Sequence, residues 1–95
     1  MTAYLFADIE VTDPALFADY RRDTPAIVAA HGGQYLVRGG DIEVLEGDAR
    51  PKRLAILSFP SMAKLKAFYH SAEYQALIPN RKRAARSSFI AIEGI

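Results

Sequence analysis

The amino-acid sequence predicts an α+β domain in which two helical segments cover one face of an antiparallel sheet. The first observation is an apolar run at 54–59 that leads, through a proline and a serine, straight into a segment with helical spacing. Apolar residues in that segment recur three and four positions apart, so one face of the helix is expected to lie on a sheet. The second observation is that strand and helix patterns follow one another along the chain in the order β-α-β-(β)-β-α-β.

Length and composition predict a small folded protein whose net charge favours neither nucleic acid nor a membrane as a partner. The 95 residues are enough for one domain, spanning residues 1–95, and 12 basic against 11 acidic residues leave a net charge of +1. Such a balance provides no field for binding nucleic acid or a membrane surface. With no cysteine, the chain has no disulfide, thiolate metal site or cysteine nucleophile. We expect no metal and no cofactor. The first residues lack the features of a signal peptide, so a cytoplasmic location is expected.

The chain begins with a strand and a long helix. Alternating apolar residues predict the strand over Ala3–Val11. Asp13 is then suited to cap a helix, and Pro14 to occupy its first position. Pro25 has no amide hydrogen for an intrahelical bond, so we expect a kink or a restart of the helix there. Gly32 is expected to end the helix in the left-handed conformation.

The middle of the chain predicts strands around a pair of glycines. A second strand over Gln34–Arg38 is followed by Gly39 and Gly40, and then by a strand pattern at 42–46. The glycines fit either a tight turn between two short strands or a bulge within one long strand, and both interpretations stay open. We expect a bent strand or β-arm. After a turn, residues 53–59 form the central strand.

The last third predicts a broken helix and a final strand. A helix is expected over residues 61–71, with a further helical piece at 72–77 that stops near Pro79. The basic stretch at 80–86 fits the positive residues that commonly follow a helix end. Residues 87–93 form the last strand. Together the elements correspond to the split βαβ, or ferredoxin-like, arrangement.

The sheet face away from the helices is predicted to be apolar. We assign Tyr4 and Phe6 of the first strand, and Phe89 and Ala91 of the last, to this face, beside a central strand that is apolar on both sides. Contiguous apolar surface of this kind usually marks an interface. The sequence therefore predicts a homodimer that packs sheet to sheet.

Several segments of the chain carry a likeness to a known family. The sequence resembles DUF1330, a small family within the dimeric α+β barrel superfamily, in VTDPALFADY (11–20), HGGQYLVRGG (31–40), EVLEGD (43–48), ILSFPS (56–61) and FYHSAEYQ (68–75). The resemblance implies a ferredoxin-like fold that dimerises into a barrel, and it implies no established reaction. Relatives in the superfamily include cofactor-free monooxygenases, haem-degrading enzymes, lactone isomerases and ligand-binding regulatory domains. The chain departs from the family at Ala72, where the family often has proline.

Aromatic hydroxyls are the first candidates for a binding site. Tyr20, Tyr69 and Tyr74 are predicted to converge where the helices meet the sheet, with hydroxyls directed into an apolar pocket. The alternative is that they are core aromatics whose hydroxyls reach the rim. Arg38 could bind a substrate carboxylate through its two-pronged guanidinium group. The alternative for Arg38 is a lattice of ion pairs with Glu46 and Arg53, which are expected to face each other across a turn.

Few residues qualify as catalytic. His70 could act as a general base, and Glu46 is the second candidate, although His70 also fits an exposed polar position. Two hypotheses follow for the whole protein. The first is a dimer that binds a small aromatic or carbonyl-bearing metabolite through Tyr20, Arg38, Tyr69 and Tyr74, with cofactor-independent chemistry as an extension. The second is a ligand-sensing or dimerising module without turnover.

Overall fold

One four-stranded antiparallel sheet, in the order β2-β3-β1-β4, carries three helices on one face. A computed structural model describes all residues, Met1–Ile95. The elements are β1 (Ala3–Val11), α1 (Pro14–Ala30), β2 (Gln34–Arg38), β3 (Leu54–Phe59), α2 (Met62–His70), α3 (Ala72–Ala84) and β4 (Ala85–Glu93). This arrangement confirms the predicted ferredoxin-like α+β fold, with the second crossover divided into two helices. None of the helices is both long and apolar enough to cross a membrane.

Strand β1 is central because both of its edges are paired. It is antiparallel to β3 on one side and to β4 on the other. Its alternation is the predicted one, with Ala3, Leu5, Ala7 and Ile9 buried beneath the helices. These side chains join residues of the three helices and of β3 in one hydrophobic core. Because strand side chains alternate between faces, the other half of β1 is left on the far side of the sheet.

Helix α1 begins as predicted and passes through its proline without a restart. The Asp13 carboxylate accepts a hydrogen bond from the Leu16 amide at 3.1 Å, and Gly32 follows the helix with a φ of 76°. The predicted restart at Pro25 is wrong, since the helix is continuous over Pro14–Ala30. Pro25 cannot donate to the Arg21 carbonyl, and a long hydrogen bond of 3.5 Å from Arg38 reaches that oxygen instead. The lost backbone bond is thus partly replaced from β2.

The predicted strand at 42–46 does not form. Strand β2 stops at Arg38, Gly39 takes a φ of 75°, and no regular structure follows until β3 begins. Both edges of β3 are already paired, by β1 and β2, and the segment at 42–46 does not pair with the free outer edge of β2. The irregularity in β2 lies between Tyr35 and Val37, ahead of the two glycines. The glycines are therefore neither a hairpin turn nor the bulge itself.

Helix α3 is longer than the sequence pattern predicts. The Ser71 hydroxyl caps it by accepting from the Tyr74 amide at 3.2 Å, but the helix continues past Pro79 to Ala84. The predicted stop at Pro79 is wrong because a proline removes a single backbone bond, and the bonds on either side hold the helix together. Three residues of the basic stretch, Arg81, Lys82 and Arg83, therefore lie in the last helical turn, and Arg86 belongs to β4. Among them, Arg81 is buried.

The far face of the sheet is apolar, although not through all of the predicted residues. The register sets Ala7 opposite Phe89 and Leu5 opposite Ala91, which places Phe89 and Ala91 on the helix side. Their assignment to the far face is wrong because both alternating sets of β4 are apolar, and only pairing with β1 decides which set faces the helices. The far face instead carries side chains of all four strands, namely Tyr4, Phe6, Val37, Leu54, Ile56, Ile90 and Ile92. Ile90 is 62% exposed.

Candidate functional site

A cavity that opens to solvent lies between α1 and the helix-covered face of the sheet. Fifteen residues line it, and 11 of them are hydrophobic. Its volume, counted as the space that the centre of a water molecule can occupy, is about 50 Å³. Because one water needs only about 10–15 Å³ by this measure, the cavity has room for several waters or for part of a small ligand. Strands β1 and β3 form its floor and α1 forms its wall.

Three of the residues predicted to bind a ligand meet in this cavity. Tyr20 comes from α1, Arg38 from the end of β2 and Tyr74 from the first turn of α3, and all three belong to the lining. The two tyrosines are almost completely buried, with 6% of Tyr20 and none of Tyr74 exposed. Their hydroxyls are therefore in the interior and do not reach the rim.

The other predicted site residues lie elsewhere. Tyr69 is half-buried and stacks behind Tyr74, with ring centres 5.6 Å apart, but it is not part of the lining. His70 is exposed at the end of α2 and packs edge-on against Tyr69. Glu46 is exposed in the irregular segment before β3. The structure does not bring Tyr69, His70 or Glu46 to the cavity.

A buried chain of polar groups connects the cavity wall to the core. The hydroxyl oxygens of Tyr20 and Tyr74 are 2.6 Å apart, and Nη1 of Arg81 donates to the Tyr74 oxygen at 2.8 Å. Arg81 is 4% exposed, and its guanidinium group lies over the ring of Phe89 at 4.2 Å. No carboxylate pairs with Arg81, and its Nε has no hydrogen-bond acceptor. A buried charge with so few partners is expensive, so the Tyr74 hydroxyl is an important part of its stabilisation.

The direction of these hydrogen bonds leaves one donor unused. Guanidinium can only donate, so the Tyr74 oxygen accepts from Arg81. The two phenols carry two hydroxyl hydrogens, and the bond between them uses one. Neither hydroxyl makes another hydrogen bond to an acceptor in the chain. Whichever tyrosine donates to the other, one phenolic hydrogen is left without an acceptor in the chain.

The Tyr74 phenol stays neutral near pH 7. Burial raises the pKa of Tyr74, the neighbouring Tyr20 raises it further, and the positive charge of Arg81 acts in the opposite direction without cancelling these effects. A neutral phenol that already accepts from a cation is a stronger donor, because hydrogen bonds in a chain polarise one another. The arrangement can therefore polarise an oxygen of a bound molecule.

Three arginines lie around the mouth of the cavity. Arg21, Arg38 and Arg53 belong to the lining, and none has a carboxylate within ion-pair distance. The predicted lattice of Arg38, Glu46 and Arg53 is wrong, since the ion pairs of the chain join Arg22 to its neighbours in α1. Burial lowers the pKa of Arg53, and the charges of Arg21 and Arg38 lower it further. The mouth is thus positively charged and lacks a counter-ion from the chain.

Comparison with known sequences assigns the chain to a family. The DUF1330 family, described as a domain of unknown function, matches residues 2–95. The chain belongs to DUF1330. None of the curated proteins matches it.

Solved structures support the fold of this DUF1330 protein. RPA0582 of Rhodopseudomonas palustris, a protein of unknown function, is 18% identical with a TM-score of 0.78, and the match covers 99% of this chain and 82% of that one. SnoaB, a cofactor-independent oxygenase from Streptomyces nogalater, is 13% identical with a TM-score of 0.66 and coverages of 99% and 92%. A dimeric ferredoxin-like protein from Jannaschia sp. is 14% identical with a TM-score of 0.64 and coverages of 99% and 100%. At these identities the likeness shows a common fold.

Sequence reasoning missed Arg81 as a member of this DUF1330 site. Residues seven positions apart lie on the same face of a helix after two turns, so Tyr74 and Arg81 are neighbours once α3 continues past Pro79. The predicted stop at Pro79 hid that relation. Arg21 is an exposed residue of α1, and only the tertiary structure brings it into the same cavity lining as Arg38.

A double-mutant cycle tests the bond between Tyr74 and Arg81. Tyr74→Phe removes the acceptor of a buried cation and should lower the free energy of unfolding by about 2–4 kcal/mol. Arg81→Met removes the charge itself and should change the free energy of unfolding by less than about 1 kcal/mol. The cost of burying a charge without a carboxylate offsets much of the stabilisation from its contacts. On the Arg81→Met background, Tyr74→Phe should cost less than about 1 kcal/mol.

Urea unfolding at a fixed protein concentration measures all four proteins of the cycle. Tyr69→Phe is the matched control, because its hydroxyl makes no hydrogen bond in the chain and its loss should be nearly neutral. An equal cost of Tyr74→Phe in both backgrounds would show that the two side chains are not coupled.

Proposed function

We propose that this DUF1330 protein binds a small aromatic or carbonyl-bearing metabolite in the cavity between α1 and the sheet. The observation that carries the proposal is the unused phenolic hydrogen of the Tyr20–Tyr74 pair, since both tyrosines line an apolar cavity and Arg81 donates to Tyr74. A buried donor without an acceptor is costly, and a ligand oxygen would remove that cost. The inner end of the site thus has one neutral donor that can orient an oxygen atom.

The walls of the cavity suit an aromatic ring. Phe17, Phe68 and Phe89 contribute ring surfaces to the lining, together with aliphatic side chains of the sheet. Aromatic rings bind one another through offset or edge-on contacts, which contribute about 0.5–1.5 kcal/mol beyond the burial of area. Binding sites of this type combine mostly apolar walls with a few placed polar groups. An aromatic ketone, aldehyde or phenol has both features.

Cofactor-independent oxygenation of such a ligand is a second candidate function. The Tyr20–Tyr74–Arg81 chain favours it, because a donor backed by a cation would also stabilise an oxygen that becomes negatively charged during a reaction. SnoaB, which shares the fold, is a cofactor-independent oxygenase. His70 and Glu46 lie at the surface, so any chemistry in the cavity would depend on the phenols and on the ligand. Consumption of dissolved oxygen in the presence of a bound ligand is the assay for turnover.

We also propose that two copies pair through the far face of the sheet. That face carries seven apolar or aromatic side chains from all four strands, and Phe6, at 38% exposure, lies between Ile56 and Ile90. A contiguous apolar surface formed by seven side chains is uncommon on a monomer. A stable pair typically buries about 800 Å² per partner. The Jannaschia protein of the same fold is dimeric, which supports the proposal.

Removal of both phenolic hydroxyls tests the binding proposal. Acetophenone and 4-hydroxyacetophenone should raise the melting temperature of the wild-type protein, whereas ethylbenzene, which lacks the oxygen, should bind more weakly. A single Tyr→Phe replacement would leave one phenolic hydrogen, so both hydroxyls are removed on the Arg81→Met background, where loss of the Tyr74 hydroxyl costs little stability. Compared with Arg81→Met alone, Tyr20→Phe/Tyr74→Phe/Arg81→Met should bind both ketones about 3- to 10-fold more weakly, the range for one neutral hydrogen bond, and should bind ethylbenzene equally well. Thermal shifts and titration calorimetry give the affinities.

Tyr69→Phe serves as the control for this experiment and should keep wild-type affinity for the ketones. The proposal fails if the ketones do not bind the wild-type protein, or if Arg81→Met and Tyr20→Phe/Tyr74→Phe/Arg81→Met bind them equally well.

A charge on the far face tests the dimer. Phe6→Glu would bury a carboxylate in the sheet-to-sheet interface, and the mass in solution should fall from two chains to one at micromolar concentration. Ala67→Glu adds the same charge at an exposed position of α2 and should stay dimeric. Light scattering coupled to size-exclusion chromatography measures the mass. A wild-type protein that is monomeric under these conditions would refute the interface.

A further inference from the structure

We propose that Arg21, Arg38 and Arg53 bind a carboxylate at the mouth of the cavity, so that the ligand is an aromatic acid with a second oxygen directed at Tyr20. This inference rests on the proposed binding function and narrows it to one class of molecule. The three arginines form the outer end of the site, and the tyrosine pair forms its inner end.

The irregularity in β2 is what turns Arg38 toward the cavity. In a regular strand, residues three positions apart point to opposite faces. The register shift between Tyr35 and Val37 sets Tyr35 opposite Leu57 and Arg38 opposite Ala55, and both partners face the helices. Tyr35 and Arg38 therefore share the cavity side, with the guanidinium group 4.8 Å from the ring centre. Bulges of this kind often redirect a side chain at a functional site.

Gly39 leaves room for the Arg53 side chain at the end of β2 that carries Arg38. The Gly39 amide donates to the Leu54 carbonyl at 2.9 Å, which closes the end of the β2–β3 pair. A Cβ atom on Gly39 would lie 2.8 Å from Nε of Arg53, so the absence of a side chain leaves room for that guanidinium group. With a φ of 75°, the backbone of this residue also favours glycine. The sequence at the end of β2 thus accommodates two arginines on one side.

The three cations lack an acidic partner in the chain. No acidic side chain forms an ion pair with Arg21, Arg38 or Arg53, because Arg22 is the one arginine in the ion pairs of the chain. Arg38 uses one amino group for the long bond to the Arg21 carbonyl, and its other donors remain available. A carboxylate accepts two parallel hydrogen bonds from one guanidinium group, and it would relieve the repulsion among all three.

The two ends of the cavity together define the ligand. A charged group at the mouth fits the arginines, and an uncharged oxygen at depth fits the phenolic donor. The apolar lining between them fits a ring. An aromatic acid with a carbonyl or hydroxyl group across the ring satisfies all three requirements.

Two pairs of probes test the carboxylate. In each pair the acid and its amide have nearly the same shape: benzoate with benzamide, and 4-acetylbenzoate with 4-acetylbenzamide. The wild-type protein should bind each acid at least about tenfold more tightly than its amide, with the difference shrinking as KCl rises from about 20 to about 300 mM. The triple variant Arg21→Gln/Arg38→Gln/Arg53→Gln should bind acid and amide equally.

The triple variant Arg22→Gln/Arg50→Gln/Arg83→Gln is the control, since it removes the same charge from exposed positions outside the cavity and should keep the preference for acids. The single variant Arg38→Gln, at an exposed residue, gives a second measure if the cavity triple variant is unfolded, and should reduce the preference several-fold.

The outcomes separate this inference from the function on which it rests. If the amides bind as tightly as the acids, the arginine mouth does not select carboxylates, and the binding function stands. If neither acids nor amides bind the wild-type protein, both proposals are overturned. Tighter binding of phenyl phosphate than of benzoate would overturn the choice of a carboxylate.

Discussion

The buried guanidinium group of Arg81 is the constraint on which the rest of this site depends. A positive charge in the core without a carboxylate is unfavourable, and the structure compensates it with the Tyr74 oxygen and the face of Phe89. Because arginine can only donate, this contact fixes Tyr74 as an acceptor. The positive charge of Arg81 then polarises the phenolic hydrogen that the tyrosine pair leaves without an acceptor in the chain. Sites that carry such a cost are commonly functional.

The fold brings this group to the cavity through three local features. The Ser71 cap sets the start of α3 so that Tyr74 points inward, and the continuation of α3 past Pro79 places Arg81 two turns further on the same face. The register of β4 brings Phe89 under that guanidinium group. The register shift in β2 then adds the arginine mouth at the other end. The inner end of the cavity thus belongs to α3 and β4, and its mouth to α1, β2 and β3.

Features that depend on neighbouring residues were predictable, and features that depend on pairing or packing were not. The helix caps at Asp13 and Ser71 and the left-handed conformation of Gly32 follow from local chemistry. The buried face of β1 was predictable because only the opposite face carries polar side chains, near the end of the strand. The far-face assignment of Phe89 failed because both faces of β4 are apolar. The strand at 42–46 failed because alternation within a segment does not reveal whether that segment pairs with a neighbouring strand. Tyr20 and Tyr74 were found from helical spacing, whereas Arg81 was missed because Pro79 was interpreted as an end.

Carbon-13 NMR of the tyrosine Cζ atoms is the most direct test of the central claim, since Cζ is bonded to the hydroxyl oxygen and the chain has five tyrosines. Addition of acetophenone should shift the resonances of Tyr20 and Tyr74 and leave Tyr4, on the far face of the sheet, and Tyr69, behind the cavity, unchanged. The shifts of Tyr20 and Tyr74 should shrink in the Arg81→Met protein, where the donor is no longer polarised. A response confined to Tyr4 or Tyr69, or one that is the same with and without Arg81, would contradict the account.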